Sequence, residues 1–169
     1  MNIKKNGKNY LYYSEDNTCD QIVDSWDNTV NYVVEDLKKC QRGLREAQLG
    51  AIFAIRAHWI VNDDVSTVVM PTGTGKTETM ITTIVAEQFR RVFILVPSDL
   101  LRKQTAEACA KLGILKEIGV IKQSAKFPRV LLLKSQPQSR EELEKVLCDA
   151  NIIVSTAALV SKFDDEYMK

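Results

Sequence analysis

The residues with the clearest chemical potential lie together in the segment Pro71-Thr72-Gly73-Thr74-Gly75-Lys76-Thr77. Gly73 and Gly75 permit backbone conformations that point successive N–H groups into one concavity, and such a concavity binds anions. In a loop of this kind the lysine reaches the terminal phosphates of a nucleotide, and the threonine hydroxyl coordinates Mg²⁺. We therefore predict a phosphate-binding loop with Lys76 and Thr77 as its catalytic residues and Thr77 as its magnesium ligand.

The sequence on either side of this loop fits the same interpretation. Val65 to Met70 is an apolar and largely β-branched run, which predicts a strand buried on both faces. The apolar residues between Met80 and Phe89 recur at helical spacing. Because the motif is specific when it joins a strand to a helix, a plain glycine-rich turn is the less favoured alternative. One departure from the usual pattern is Met70, which stands where a first glycine is expected.

A second candidate is Gln48, which lies between Leu44 and Ile52 on the apolar stripe of a predicted helix. A buried amide needs partners for its donors and acceptors. The edge of an adenine base offers a donor and an acceptor side by side, and glutamine bonds both in DNA recognition. The alternative is a glutamine at the margin of the stripe that bonds backbone or water. The phosphate loop further along the chain favours the adenine hypothesis.

Together these segments resemble known motifs. Leu44-Arg45-Glu46-Ala47-Gln48, followed by the phosphate loop, is similar to the Q-type motif and motif I of superfamily-two helicases. Within that superfamily the motifs most resemble those of the DEAD/DEAH-box group, which includes the helicase subunits of type III restriction enzymes. Pro97 to Gln104 resembles motif Ia, and Ile152 to Thr156 resembles motif Ib. The resemblance covers about Gly43 to Val160.

The resemblance implies a partial RecA-like P-loop NTPase domain of α/β class, which binds ATP and Mg²⁺ and moves along or unwinds DNA or RNA through backbone contacts. The residues it assigns to the nucleotide are Arg45, Gln48, Pro71, Thr72, Gly73, Thr74, Gly75, Lys76, Thr77 and Glu78. The residues it assigns to the nucleic acid are Pro97, Ser98 and Thr156.

The family also requires a motif II, in which a buried strand ends in Asp-Glu. Asp164-Asp165-Glu166 is preceded by a single apolar residue, Phe163, so we interpret it as a solvated acidic turn. We therefore expect this chain to be the front part of a longer helicase, with the motif II strand and a second RecA-like domain as its partners. We expect it to hydrolyse ATP poorly by itself. The alternatives are a nucleotide-binding regulatory or scaffold module that never hydrolyses ATP and, less favoured, a P-loop kinase.

Strands and helices alternate from Val65 onward, which predicts a parallel sheet in an α/β fold. Further strands are predicted at Val92–Val96, Val130–Leu133 and Ile152–Val154. Further helices are predicted from Leu44 to Trp59, from Ser98 to about Leu112, and from Ser139 to about Cys148.

Residues 1–42 are predicted to form an N-terminal helical extension, and residues 43–169 the partial ATP-binding domain. Apolar side chains at helical spacing predict an amphipathic helix from about Cys19 to Lys39, which Thr18 and Gln21 would open as a capping box. A short edge strand and an irregular arm are equally compatible with residues 1–17.

The composition is that of an ordinary globular protein, with 45% hydrophobic and 27% charged residues. The net charge of +1 means that any basic surface for nucleic acid would be local. Four widely spaced cysteines indicate reduced thiols and a cytoplasmic location. No apolar run approaches the length of a membrane span, so no membrane partner is expected.

Overall fold

A computed structural model describes residues 1–14, 16–137 and 139–163 of the chain. The strands are β1 (Asn2–Asn6), β2 (Asn9–Tyr13), β3 (Val92–Val96), β4 (Val130–Leu132) and β5 (Ile152–Thr156). The helices are α1 (Cys19–Asp24), α2 (Glu46–Val61), α3 (Lys76–Ala86), α4 (Asp99–Ala110), α5 (Arg140–Cys148) and α6 (Ala157–Val160), with a 3₁₀ helix at Leu37–Lys39. Among the helices of these ranges, none is long and apolar enough to cross a membrane.

The five strands form one mixed sheet in the order β1-β2-β4-β5-β3. The strands β4, β5 and β3 are parallel, and both Val130 and Val92 lie opposite Ile152 of the central strand. The strand β2 is antiparallel to β4, and β1 is antiparallel to β2. The predicted α/β class is confirmed, and the parallel strands are compatible with a partial RecA-like domain.

The parallel strands β4 and β5 are covered on both faces, as is usual for such strands. Leu132 and Val154 point into the larger apolar cluster, which also contains buried side chains of α2, α3 and α4. Leu131 and Ile153 point to the opposite face, where α5 packs. This alternation follows from the two-residue period of a strand and explains why these short segments are so strongly apolar.

Local signals place the starts of three helices correctly. The side chains of Ser98 and Ser139 cap α4 and α5, each accepting a bond from a backbone N–H in the first turn. Thr18 and Gln21 form the predicted capping box at the start of α1. These residues satisfy N–H groups that a helix cannot bond internally, which is why the pattern is informative.

The prediction of one long helix from Cys19 to Lys39 is wrong, because α1 ends at Asp24. The chain then turns and runs extended, with Val30 bridged to Ile121 and Val34 bridged to Leu44. β-branched valines favour an extended backbone. Val30 and Tyr32 pack partly buried against the larger apolar cluster, whereas Leu37 is 81% exposed, so the helix-like spacing of these residues does not correspond to one buried helix face.

The strand predicted at Val65–Met70 is also not formed, and Val65 and Val69 are 89% and 90% exposed. A strand needs a neighbour to satisfy its backbone groups. Within the described ranges β3 pairs with β5 alone, and Phe93 and Leu95 of β3 are exposed. We call β3 together with Val65–Met70 the open edge. Val68, Met70 and Val92 of the open edge, together with side chains of α2 and α3, line a groove of about 400 Å³.

The N-terminus adopts the strand alternative. The strands β1 and β2 form a hairpin whose two-residue turn is Gly7-Lys8, and Gly7 has a φ of +59°. Glycine accepts this left-handed conformation without steric cost. Because β2 also pairs with β4, residues 2–13 extend the same sheet that carries the later strands. The division of the chain at residue 42 stays a prediction.

Candidate functional site

The phosphate loop, Pro71–Thr77, is folded onto itself at the start of α3. The carbonyl oxygen of Pro71 accepts a bond from the Thr74 hydroxyl at 2.7 Å and one from the Lys76 ammonium at 2.8 Å. Gly73 and Gly75 have φ angles of +82° and +86°, in the left-handed region that favours glycine. The two glycines and the shared carbonyl together give the loop its tight curvature.

The loop has the features that a phosphate group requires. The backbone N–H groups of Gly73 and Gly75 have no hydrogen-bond acceptor within the part of the chain that the structure describes. A Cβ built on Gly73 would meet no atom within 4 Å, so the space in front of the loop is open. The first turn of α3 adds further unbonded N–H groups and the positive end of the helix dipole. The ammonium of Lys76 and the hydroxyl of Thr77 complete a set that fits a nucleotide phosphate with Mg²⁺.

Gln48 connects α2 to this loop and is only 6% exposed. Its Oε1 accepts a bond from the backbone N–H of Arg45 at 2.8 Å, and its Nε2 donates to the carbonyl of Gly75 at 3.0 Å. The amide thus forms hydrogen bonds with two backbone groups, as in the alternative to the adenine hypothesis. An amide oxygen has a second lone pair and an amide nitrogen a second hydrogen, so each end keeps one further bonding position.

Arg45 makes a second connection between α2 and the loop. Its Nη1 donates to the carbonyl of Gly73 at 2.6 Å. Its Nε lies 4.0 Å from the carboxylate of Glu35, on the segment that precedes α2. Arg45 and Gln48 therefore hold the carbonyls of both loop glycines, and α2 sets the position of the loop.

The start of α2 is itself held by the N-terminal segment. The N–H of Leu44 donates to the carbonyl of Val33 at 2.7 Å, and the N–H of Glu35 donates to the carbonyl of Leu44 at 2.8 Å. A Cβ on Gly43 would overlap the backbone of Val33 and Val34. Only glycine allows the two segments to approach this closely.

A pocket of about 490 Å³ opens beside the phosphate loop. This volume is within the range of about 300–1,000 Å³ that is usual for small-molecule sites. We call it the loop pocket. The predicted site residues that line it are Arg45, Gln48, Gly73, Gly75 and Glu78. The lining residues that sequence reasoning missed include Glu35, Arg42, Ile114, Glu117 and Ile118.

The missed residues come from segments without a motif. The ion pair between Arg42 and Glu117 joins the two sides of the pocket, with Nη1 2.6 Å from Oε1. Ile114 and Ile118 follow α4 and are four residues apart, which puts them on one face of a helical turn. That spacing was the one available signal, and it does not distinguish a pocket wall from an ordinary core face.

The residues predicted for nucleic acid lie at one end of the sheet, which we call the carboxyl edge because β3, β4 and β5 all end there. Val96 of β3 lies opposite Thr156 of β5, so Pro97 and Ser98 come next to Thr156. Pro97 and Ser98 are exposed, whereas Thr156 is only 6% exposed. The acidic segment Asp164-Asp165-Glu166 lies outside the described residues.

One comparison with known proteins identifies a relationship. A family model described as type III restriction enzyme, res subunit, matches residues 41–168, roughly three quarters of the chain. Among curated proteins and solved structures, none matches the chain. The matched region begins just before α2 and includes the phosphate loop and the carboxyl edge.

Proposed function

Because this chain belongs to the family of the type III restriction enzyme res subunit, whose domains are helicase-like and bind ATP, we propose that it binds ATP and Mg²⁺ through its phosphate loop. The observation that supports this most strongly is the open loop at the start of α3. There, two left-handed glycines present unbonded N–H groups beside an exposed lysine.

Each loop group has a separate task in this proposal. The N–H groups of the loop and the ammonium of Lys76 hold the β- and γ-phosphates, and the hydroxyl of Thr77 binds Mg²⁺. Catalysis of phosphoryl transfer consists mainly of positioning and charge stabilisation. The network from α2 through Arg45 and Gln48 to the glycine carbonyls supports that positioning.

We place the adenine in the loop pocket. The second hydrogen on Gln48 Nε2 and the second lone pair on Oε1 match the acceptor and donor that adenine presents at N7 and N6. Guanine presents two acceptors at the same edge, so it would satisfy one of these positions and leave the other unpaired. ATP should therefore bind more tightly than GTP.

We propose DNA or RNA as the partner of the carboxyl edge. Pro97 and Ser98 would contact the sugar-phosphate backbone directly, and buried Thr156 would do so through its main chain. Contacts to phosphates carry no sequence information. Binding should accordingly be weak, sensitive to salt and indifferent to sequence.

We also propose that the open edge pairs with further strands of a helicase chain, the motif II strand first among them. A strand inserted between β3 and Val65–Met70 would satisfy the backbone groups of both. It would also cover the exposed side chains of Phe93, Leu95 and Val69. Full burial of one such side chain contributes about 1.5–3 kcal/mol. A second RecA-like domain would complete the enzyme.

The nucleotide proposal can be tested by calorimetric titration with ATP and GTP. Gln48→Ala should weaken ATP by about 1–3 kcal/mol more than it weakens GTP, because a bidentate contact to the base is lost. Gln104→Ala, an exposed glutamine on α4, is the control and should change neither affinity. Equal losses for the two nucleotides would overturn the adenine assignment, and absence of ATP binding by the wild type would overturn the proposal as a whole.

A further inference from the structure

The N-terminal hairpin carries a local excess of positive charge on a nearly neutral chain. Residues 1–14 contain three lysines, Lys4, Lys5 and Lys8, and no acidic residue, whereas the net charge of the chain is +1. A local basic surface on a nearly neutral protein attracts polyanions to that surface in particular.

The hairpin turn lies at the carboxyl edge. Tyr10 of β2 lies opposite Leu132 at the end of β4, and Lys5 of β1 lies opposite Tyr10. Because β2 is antiparallel to β4, the turn at Gly7-Lys8 extends beyond the same end of the sheet at which Ser98 is found. The hairpin therefore continues the row of residues proposed to contact nucleic acid.

A lysine from the segment after β4 joins the hairpin lysines. The Nζ of Lys134 lies 4.8 Å from the centre of the Tyr10 ring, and the Nζ of Lys5 lies 6.0 Å from it. Attraction to the ring holds both ammonium groups in place. Among the described residues, Lys5, Lys8 and Lys134 have no carboxylate partner in an ion pair. Because none of these ammonium groups is neutralised in an ion pair with a described residue, an anion bound beside them would be stabilising.

Asn9 ties the hairpin to the segment after β4. This residue is 4% exposed, and its Oδ1 accepts bonds from the backbone N–H groups of Lys134 at 2.8 Å and Ser135 at 3.0 Å. The Ser135 hydroxyl donates to the same oxygen at 3.3 Å. The lysines of the two segments are thus held in one arrangement, which lowers the entropy lost on binding a ligand.

We propose that Lys5, Lys8 and Lys134 form a phosphate-binding surface, the basic hairpin surface, whose partner is single-stranded DNA or RNA. The inference rests on the proposed nucleic-acid contact at the carboxyl edge and extends it. Neighbouring strands are about 4.8 Å apart, so the path from β3 across the sheet to β1 is about 19 Å long. A strand bound along this path would pass from Ser98 to the hairpin turn.

The test is fluorescence anisotropy with labelled oligo(dT) and oligo(rU) over a series of salt concentrations. The hairpin variant carries Lys5→Gln, Lys8→Gln and Lys134→Gln. The matched control carries Lys38→Gln, Lys111→Gln and Lys122→Gln, which removes the same charge from exposed sites elsewhere. Three lost phosphate contacts should reduce the slope of log K against log salt by about 2 in the hairpin variant, and the control should keep the wild-type slope.

Calorimetry with ATP separates this proposal from the nucleotide site, because both triple variants should bind ATP as the wild type does. If the slope of log K against log salt in the hairpin variant equals that of the wild type, the basic hairpin surface does not bind nucleic acid. The proposed contact at Ser98 is unaffected by that result. Equal loss of affinity and slope in the two triple variants would overturn the basic hairpin surface as well, since that is a general effect of net charge. If the wild type binds neither oligonucleotide, the carboxyl-edge contact fails together with the extension built on it.

Discussion

Gly73 and Gly75 share a left-handed backbone and differ in what surrounds them. A Cβ on Gly73 would meet nothing within 4 Å, whereas one on Gly75 would collide with the amide of Gln48 and lie 3.3 Å from the carboxylate of Glu78. Gly73 therefore keeps the space for a phosphate open. At Gly75 the position of a Cβ is occupied by the side chain of Gln48, which links the loop to α2.

This difference predicts unequal stabilities for Gly73→Ala and Gly75→Ala. Both substitutions add a methyl group in a left-handed conformation, at a cost of about 1–2 kcal/mol. Gly75→Ala should lose about 1–3 kcal/mol more, because it displaces Gln48 and leaves buried polar groups unpaired. Urea unfolding of the two variants measures the difference. Equal free energies of unfolding would show that Gln48 is not held against Gly75 in solution.

The chemistry of single residues was largely readable from the sequence, and their bonding partners were not. The loop motif named Lys76 and Thr77, and the apolar stripe singled out Gln48. That Gln48 bonds the carbonyl of Gly75 depends on how α2 crosses the loop. The sequence around Gln48 contains no pattern from which that crossing could be predicted.

At the scale of elements, the junction before α2 gives a matched pair of glycine substitutions. Gly43→Ala should destabilise the protein and weaken ATP binding, because its methyl group would press on the backbone of Val33 and Val34 and displace the start of α2. Gly50→Ala lies within α2, where a Cβ meets no atom within 4 Å. It should stabilise the protein by about 0.5–1 kcal/mol through helix propensity.

Thermal unfolding and ATP titration of the Gly43→Ala and Gly50→Ala variants check both expectations. Unchanged stability and ATP affinity in Gly43→Ala would mean that residues 33–35 do not position the nucleotide site.

Elements specified by local chemistry were predictable. Ser98 and Ser139 mark the starts of helices, because their side chains accept a hydrogen bond from a backbone N–H of the first turn. The β-branched run that begins at Ile152 is typical of a central strand covered on both faces. Val65–Met70 has the same composition and forms no strand, because strand formation depends on a partner elsewhere in the fold. The valines after α1 were misleading in the opposite sense, since their helical spacing occurs in an extended segment that forms isolated bridges.

At the scale of the whole molecule, binding a nucleotide and hydrolysing it are separable. Phosphoryl transfer needs an acidic metal ligand, a residue that orients water and a cation for the transferring group, and an absent arginine finger alone lowers the rate by about 10³–10⁵. Among the described residues, no strand ends in Asp-Glu. We therefore expect phosphate release by this chain to match that of Lys76→Ala.

A phosphate-release assay decides between slow and efficient hydrolysis, with Lys76→Ala as the blank. The rival is the acidic segment Asp164-Asp165-Glu166, which lies outside the described residues. Turnover clearly above the blank that disappears in Glu166→Gln would show that this segment supplies the carboxylate. It would also exclude the alternative of a regulatory module that only binds ATP.

Calorimetric titration of wild type and Lys76→Ala with ATP and Mg²⁺ tests the central claim that the phosphate loop binds the nucleotide. Lys76 is exposed and its substitution removes one hydrogen bond, to the carbonyl of Pro71, so the free energy of unfolding should change by only about 0.5–1.5 kcal/mol. A hydrogen bond to a charged group contributes about 1.5–3 kcal/mol, so ATP affinity should fall by about tenfold or more. Lys103→Ala, on the exposed face of α4, should bind ATP as the wild type does. Equal ATP affinity in Lys76→Ala and wild type would contradict the assignment of the loop.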